Sequence, residues 1–164
     1  MRSAGYTIFA PETFSLSEQI SCMQTAEALV FAESSALHLY GLVQRAGQKV
    51  AVIQRRKVLP PLILNQLDDG PATINLVDAI SSVDWPPVEA DNISLATLDF
   101  DILREKLIAG AFISYRDVWR IPTPEEKQTS LRAGLDSSVT LIPDQDRQRW
   151  LNRRRRQRAK AHRL

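Results

Sequence analysis

The charge of the last eighteen residues constrains the fold of this chain more than any other feature. Residues 147–164, RQRWLNRRRRQRAKAHRL, contain nine basic side chains and no aspartate, glutamate, proline or glycine. The rest of the chain holds twelve basic residues against nineteen acidic ones, so a formal charge of −7 stands beside one of +9. We therefore predict a mainly helical globular domain over residues 1–143, with a possible hinge near 84–92, and a basic C-terminal arm over 144–164.

The arm has the composition of a helix that forms in contact with a polyanion. Nothing in it breaks a helix, but the consecutive cations Arg153 to Arg156 repel one another, so we expect an isolated arm to be poorly helical. A polyanion removes that repulsion, and such segments commonly fold on binding. We expect Trp150, together with Leu151, to dock the start of the helix on the domain; the alternative is that Trp150 stacks on a base.

Arginine suits phosphate because its guanidinium group donates two parallel hydrogen bonds to one anion. In composition the arm resembles the Arg-rich RNA-binding segments of viral and phage regulatory proteins. This resemblance covers about a tenth of the chain, and it implies contact with nucleic acid, DNA or RNA, without carrying over an activity. The predicted nucleic-acid-binding residues are Arg147, Arg149, Arg153, Arg154, Arg155, Arg156, Arg158, Lys160 and Arg163.

A second, smaller basic cluster consists of Arg55, Arg56 and Lys57. It follows a predicted strand, where it either extends the phosphate footprint of the arm or guards an exposed sheet edge.

For the arm itself other partners stay open: a nuclear-import receptor, an anionic membrane surface, or the acidic body of the same chain. The principal hypothesis is a non-enzymatic accessory or regulatory protein that contacts nucleic acid through the arm and a protein partner through its body.

The main alternative is a protein–protein adaptor or assembly factor, for example of a bacterial secretion, phage or conjugation apparatus, whose arm docks on an acidic partner.

The chain has 164 residues, 44% of them hydrophobic, which is enough for one domain with a core. Its single cysteine, Cys22, excludes an internal disulfide and fits a reducing compartment. The N-terminus lacks a signal-peptide pattern and no apolar run is long enough to span a bilayer, so we expect a soluble, cytoplasmic protein.

The N-terminal half of the body shows one clear helix start and several ambiguous segments. Ser15 and Glu18 have the spacing of a capping box, and the apolar residues after them predict a helix over 15–31. Residues 39–54 fit either the continuation of that helix or a β-hairpin turning at Gly47; we favour the hairpin, because Gly41 is a poor residue for a helix interior. The two prolines of VLPPLIL predict an extended connector, and Pro71 begins a predicted short helix.

In the C-terminal half, helix starts are the clearest signals. Asp99 or Asp101 caps a predicted helix that Gly110 interrupts. The segment SYRDVWRIP predicts one or two helical turns. Thr123, followed by Pro124 and two glutamates, predicts a second capped helix, and SSVTLIP a short extended piece. Helices outnumber strands in this interpretation, so the predicted fold class is mainly α with a small β-hairpin element, an α+β arrangement.

No combination of residues predicts catalysis or a cofactor. One cysteine and two histidines, His38 and His162, are too few and too far apart in sequence for a zinc site, and Cys22 in a helical pattern is expected to be a buried structural thiol. Neither G-x-S-x-G nor a glycine-rich phosphate loop occurs. Paired carboxylates stand at turns and helix starts, where local capping explains them. A helix-turn-helix around Gly110 is disfavoured by Lys106, because close helix packing needs a small residue there. The expectation is no enzyme, no cofactor and no metal.

Overall fold

The computed structural model describes the backbone of residues 1–90 and 93–161, and all side chains of these residues except those of 160 and 161. The chain divides into two compact units, one formed by residues 1–79 and 99–121 and the other by 80–98 and 122–164. The predicted division into 1–143 and 144–164, with a hinge near 84–92, stays a prediction. The α-helices of the described chain are α1 Leu16–Thr25, α2 Ala36–Val43, α3 Pro61–Asp68, α4 Phe100–Ala109, α5 Pro124–Arg132 and α6 Asp144–Ala161.

The strands form two sheets of three strands each within the described residues. Their bounds are β1 Ala28–Ala32, β2 Lys49–Ile53, β3 Thr73–Val77, β4 Ile80–Trp85, β5 Leu95–Leu98 and β6 Ile142–Pro143. The predicted fold class, mainly α with a β-hairpin, is therefore wrong. The chain is an α/β mixture, and its first sheet is parallel throughout.

The first unit is built on that parallel sheet, whose strand order is β1-β2-β3. Helices α2 and α3 connect its successive strands, so the pattern is β-α-β-α-β. Because strand order follows chain order, right-handed crossovers place both connecting helices on one face of the sheet. The buried cluster agrees with this arrangement: Val50 and Val52 of β2 pack with Leu37 and Tyr40 of α2 and with residues of α3.

Gln48 joins the elements around the start of β2 through four hydrogen bonds. Its side chain is buried; it donates to the carbonyl oxygens of Met23 and Ala26, both at 2.7 Å, and it accepts from the Arg45 amide and the Tyr40 hydroxyl. A buried amide is tolerated only when its polar atoms find partners. Gln48 therefore fixes the end of α1 and the helix α2 relative to the central strand.

The predicted hairpin over 39–54 is wrong, and Gly41 explains why. This residue lies inside α2, where an added Cβ atom would approach the Cβ atom of Gln66 in α3 to 3.2 Å. Glycine is there because two helices pack closely, which compensates for its poor helix propensity. Gly47 does adopt the predicted positive φ, 83°, but its turn connects a helix to a parallel strand.

Other segments also depart from the sequence-based interpretation. VLPPLIL contributes the start of helix α3, because Pro61 occupies the first turn, where a missing N–H is harmless. Residues 73–77 and 80–85 form strands, so the helix predicted after Pro71 is wrong. The helix begun at Ser15 ends at Thr25, and strand β1 follows it; no α-helix forms over 111–121. The capping boxes at Ser15 and Thr123 and the cap at Asp99 are confirmed.

The second unit contains the antiparallel sheet, with order β5-β4-β6, and the helices α5 and α6. Strand β4 pairs with β5 over Ile80–Asp84, with an irregularity between Ile80 and Ser82, and with β6 at its C-terminal end. Helix α6 begins directly after β6 and packs on β4 and β6. The basic arm of the sequence is therefore a helix attached along one side of a small sheet.

Candidate polyanion-binding helix

Two aspartates and a tryptophan determine where α6 starts. Asp144 and Asp146 lie in its first turn, where carboxylates are stabilised by the positive end of the helix dipole. Asp144 also accepts a hydrogen bond of 2.9 Å from the indole Nε1 of Trp85 in β4. The start of the helix is thus tied to the sheet before the arginine-rich part begins.

Arg147 is an anchor of the helix rather than a free cation. Only 7% of the residue is exposed. Its guanidinium carbon lies 4.7 Å from the ring centroid of Trp85 and 5.1 Å from that of Trp150, so each indole forms a cation–π contact with it. The guanidinium nitrogens donate to the carbonyl oxygens of Ala90, at 3.0 Å, and Pro86, at 3.4 Å. We therefore remove Arg147 from the proposed set of phosphate-binding residues.

Trp150 contacts two arginines of its own helix, Arg147 and Arg154. The guanidinium carbon of Arg154 lies 5.7 Å from the Trp150 ring centroid. Further along the same face, the Nη1 atom of Arg158 lies 2.9 Å from the Oε2 atom of Glu89. Residues at positions i, i+7 and i+11 of a helix share one face. Arg147, Arg154 and Arg158 thus define the attached face of α6.

The opposite face carries Arg149, Arg153 and Arg156 at positions i, i+4 and i+7. All three are exposed. Arg149 forms a 3.2 Å ion pair with Asp146 one turn earlier, whereas Arg153, Arg155 and Arg156 form no ion pair with any carboxylate of the described residues. With a rise of about 1.5 Å per residue, the stripe is about 10 Å long. It presents cations to solvent on a helix that is already formed.

The remaining predicted phosphate-binding residues of the arm fall outside the description. Arg163 lies beyond the described residues, and Lys160 lies in α6 with a side chain that is not described. The described part of α6 therefore retains Arg149, Arg153, Arg155 and Arg156 as outward-facing or lateral cations. We name this set of four the arginine ridge.

The second basic cluster is arranged differently, at the carboxyl end of β2 in the first unit. Glu33, at the end of the neighbouring β1, has a fully buried side chain that accepts from the Arg55 amide at 3.0 Å and forms an ion pair with Arg56. Burial lowers the pKa of the Arg55 guanidinium, and the nearby Arg56 charge lowers it further, against a smaller opposing effect of Glu33. Lys57 is exposed. Its predicted role with Arg55 and Arg56 in a phosphate footprint stays a prediction.

Sequence reasoning missed the edge to which this cluster belongs. Glu33, Gln54 and Asp78 follow β1, β2 and β3 directly, so the three parallel strands end in polar residues at one edge. Ser34 and Ser35 follow Glu33 and lead into α2. In open parallel sheets, ligands bind outside the carboxyl ends of the strands where the strand order reverses. The order β1-β2-β3 does not reverse, so this sheet shares the polar edge but not the crevice of such sites. The sequence does carry a signal for the strands, though not for their pairing: ALVFA and KVAVI are short apolar runs separated by a helical segment.

The candidate residues for other chemistry are dispersed. Cys22 is exposed, so the expectation of a buried thiol is wrong. His38 makes a 2.6 Å hydrogen bond with the side-chain oxygen of Gln66, which gives it a structural role between α2 and α3. Within residues 1–90 and 93–161, no group of three or more His, Cys, Asp or Glu side chains is arranged to hold a metal ion. No helix in the same residues is long and apolar enough to cross a membrane.

Comparison with known proteins adds no family: no protein-family model, curated protein or solved structure matches the chain. The candidate sites therefore depend on the geometry of the chain alone.

Proposed function

We propose that this protein is a non-enzymatic accessory protein that binds the phosphate backbone of nucleic acid through the arginine ridge of α6. The observation that carries the proposal is the contrast within one helix. A buried Arg147 holds the helix on its sheet, while Arg153, Arg155 and Arg156 stay exposed and outside any ion pair of the described chain. A cationic surface of this kind attracts a polyanion.

The chemistry of the ridge favours binding without sequence selectivity. Arginine donates bidentate hydrogen bonds to phosphate oxygens. Each phosphate that the protein neutralises releases condensed counterions to the solvent. Phosphate contacts position a protein on nucleic acid but carry no base information. Because α6 is anchored at its N-terminal part, the ordering cost that an isolated basic peptide meets on binding is reduced. We accordingly propose a partly preorganised helix in place of one that folds entirely on contact.

The direct test is fluorescence anisotropy with a labelled duplex of about 20 base pairs of DNA and, in parallel, an RNA hairpin. The test variant is Arg153→Gln/Arg155→Gln/Arg156→Gln, which leaves the Arg147 anchor intact. The matched control is Arg2→Gln/Arg45→Gln/Lys106→Gln, which removes three exposed cations outside α6. We expect the first variant to weaken binding at least about tenfold at about 150 mM salt and the control to change it less than about twofold. Equal losses in both variants would reject the ridge.

The adaptor alternative uses the same cations on an acidic protein surface. It is separated by a pull-down from extract with and without nuclease. Loss of the co-purifying partners on nuclease treatment agrees with the nucleic-acid proposal, and partners that survive nuclease but dissociate in salt favour the adaptor.

A second candidate function is suggested by the parallel sheet of the first unit: binding of a small phosphorylated ligand at the carboxyl ends of β1, β2 and β3. The observations that favour it are the common edge at which these strands end and the presence there of Ser34, Ser35 and Arg55. Helix α2 begins at the same edge, and helix N-termini attract anions. Titration calorimetry with inorganic pyrophosphate tests it, with Arg55→Ala and Ser34→Ala as the variants. No heat of binding, or binding unchanged in both variants, contradicts it.

A further inference from the structure

We propose that Glu89 competes with phosphate for Arg158, so that the protein carries an internal acidic inhibitor of polyanion binding by α6. This inference rests on the proposed function. It starts from the 2.9 Å contact between the Nη1 atom of Arg158 and the Oε2 atom of Glu89. Arg158 is predicted as a phosphate contact from sequence, yet it differs from Arg153, Arg155 and Arg156 in having a carboxylate partner.

Glu89 belongs to a loop that holds α6 at two places. The carbonyl oxygens of Pro86 and Ala90 accept hydrogen bonds from Arg147, and the Glu89 carboxylate between them in sequence reaches Arg158. These two arginines are eleven positions apart, which is about 16 Å along the helix axis. The first contact is buried, whereas the second is exposed to solvent.

The contact between Glu89 and Arg158 is accessible to a competing anion. Side-chain exposure is 33% for Glu89 and 64% for Arg158, so both groups are reached by water. Exposed ion pairs are weak and are screened by salt. A backbone phosphate offers a pair of oxygen acceptors and one negative charge, as a carboxylate does, and nucleic acid presents many such groups in a row. Arg155, the lateral member of the arginine ridge, precedes Arg158 by three positions, so the two side chains are neighbours on α6. A polyanion held at Arg155 therefore displaces Glu89 when it recruits Arg158, and it loses affinity by having to do so.

The Glu89–Arg158 pair also differs from the ion pair between Asp146 and Arg149. Asp146 and Arg149 lie three positions apart in α6 itself, where such pairs are common and local. Glu89 is separated from Arg158 by 69 positions in the sequence and comes from a different element. Removing the Glu89 charge frees one cation without altering the helix sequence.

A double-mutant cycle on duplex DNA binding tests this role. Glu89→Gln should bind the labelled duplex about threefold more tightly than the unmodified protein, the scale expected when a weak exposed pair no longer competes. Glu105→Gln is the matched control: it is an exposed glutamate on α4, in the first unit, and it undergoes the same charge change. The control should shift affinity less than about 1.5-fold, because the effect of an exposed charge outside the contacted ion pair is screened by salt.

The cycle is closed by Arg158→Gln with and without Glu89→Gln. The gain from Glu89→Gln should vanish in the Arg158→Gln background, because the competitor has then lost its target. A gain that persists there, or equals the gain from Glu105→Gln, overturns the proposal while the proposed function stands. Binding by Glu89→Gln alone, with none by the unmodified protein, supports the inhibitor and rejects constitutive binding. No binding by either protein rejects both.

Discussion

The two basic clusters of this protein use the same side chain in opposite ways. In the first unit, Arg56 is paired with the fully buried carboxylate of Glu33 at the edge of a parallel sheet. In the second unit, Arg153, Arg155 and Arg156 project from α6 and form no ion pair with the described carboxylates. The environment, rather than the number of arginines, separates a structural cation from one that is available to a ligand.

Arg147 sharpens the comparison because it lies in the arm and behaves like Arg56. It is buried between Trp85 and Trp150 and bonded to two carbonyl oxygens. Because the buried Arg147 holds the start of α6 in place, the later arginines of the helix remain exposed. A run of arginines in a sequence is therefore divided by the fold into anchoring and exposed residues.

The largest effect is expected from the buried pair. Glu33→Ala leaves Arg56 without its carboxylate and the Arg55 amide without its acceptor, so the free energy of unfolding should fall by about 3 kcal/mol. Urea denaturation followed by far-UV circular dichroism measures it. Glu105→Ala, at an exposed position of α4, is the control and should change stability by less than about 0.5 kcal/mol. A similar small change for both variants would mean that the Glu33 pair is not structural.

The anchor of α6 is expected to come next. Arg147→Ala removes two cation–π contacts and two hydrogen bonds, and should cost about 2 kcal/mol in the second unit. Arg147→Lys should rescue little, because an ammonium group cannot stack between the indoles as the planar guanidinium does. Thermal denaturation followed by circular dichroism and tryptophan fluorescence measures both. Full rescue by lysine would show that charge alone holds the helix.

Alkaline pH should destabilise the first unit through Tyr40. Burial raises the pKa of its hydroxyl to about 12 from 10.0. The neutral form is therefore favoured in the folded state, and its contribution to stability is full below about pH 10 and is lost as pH rises through about 12. Tyr40→Phe should cost about 1 kcal/mol at neutral pH, because the bond to Gln48 is removed, and should reduce the alkaline loss. The free energy of unfolding is measured as a function of pH for both proteins. If Tyr40→Phe loses as much stability at alkaline pH as the unmodified protein, a group other than Tyr40 causes the loss.

The smallest effect on stability is expected from the ridge itself. Arg153→Gln/Arg155→Gln/Arg156→Gln should leave the free energy of unfolding unchanged or raise it by up to about 0.5 kcal/mol, because neighbouring like charges are removed. Urea denaturation compares this variant with Arg147→Ala. A loss as large as that of Arg147→Ala would show that the ridge packs on the protein and is not free to bind.

Side-chain capping signals in the sequence locate helix starts correctly, whereas the pairing of distant strands is not predicted. The capping boxes at Ser15 and Thr123 depend on residues three positions apart, so the sequence alone locates them. The parallel sheet depends on pairing between strands some twenty residues apart, which no local pattern determines. From the sequence alone, Gly41 argues against a helix. The close packing that explains it involves Gln66, which belongs to another helix.

The same distinction between local and non-local information applies to the candidate site. Composition locates the arm and its cations. It cannot separate Arg147 from Arg153, because that difference comes from Trp85 and from the carbonyl groups of residues 86 and 90, about sixty positions earlier. Glu89 cannot be found from the sequence for the same reason.

The salt dependence of duplex binding tests the central claim most directly. The slope of log K against log salt decreases in magnitude by about 0.9 for each DNA phosphate that the protein no longer neutralises. Replacing Arg153, Arg155 and Arg156 by glutamine should therefore reduce the slope by about 2.7, whereas Arg2→Gln/Arg45→Gln/Lys106→Gln should leave it unchanged. A slope that is the same in both variants and in the unmodified protein would contradict phosphate binding by the arginine ridge.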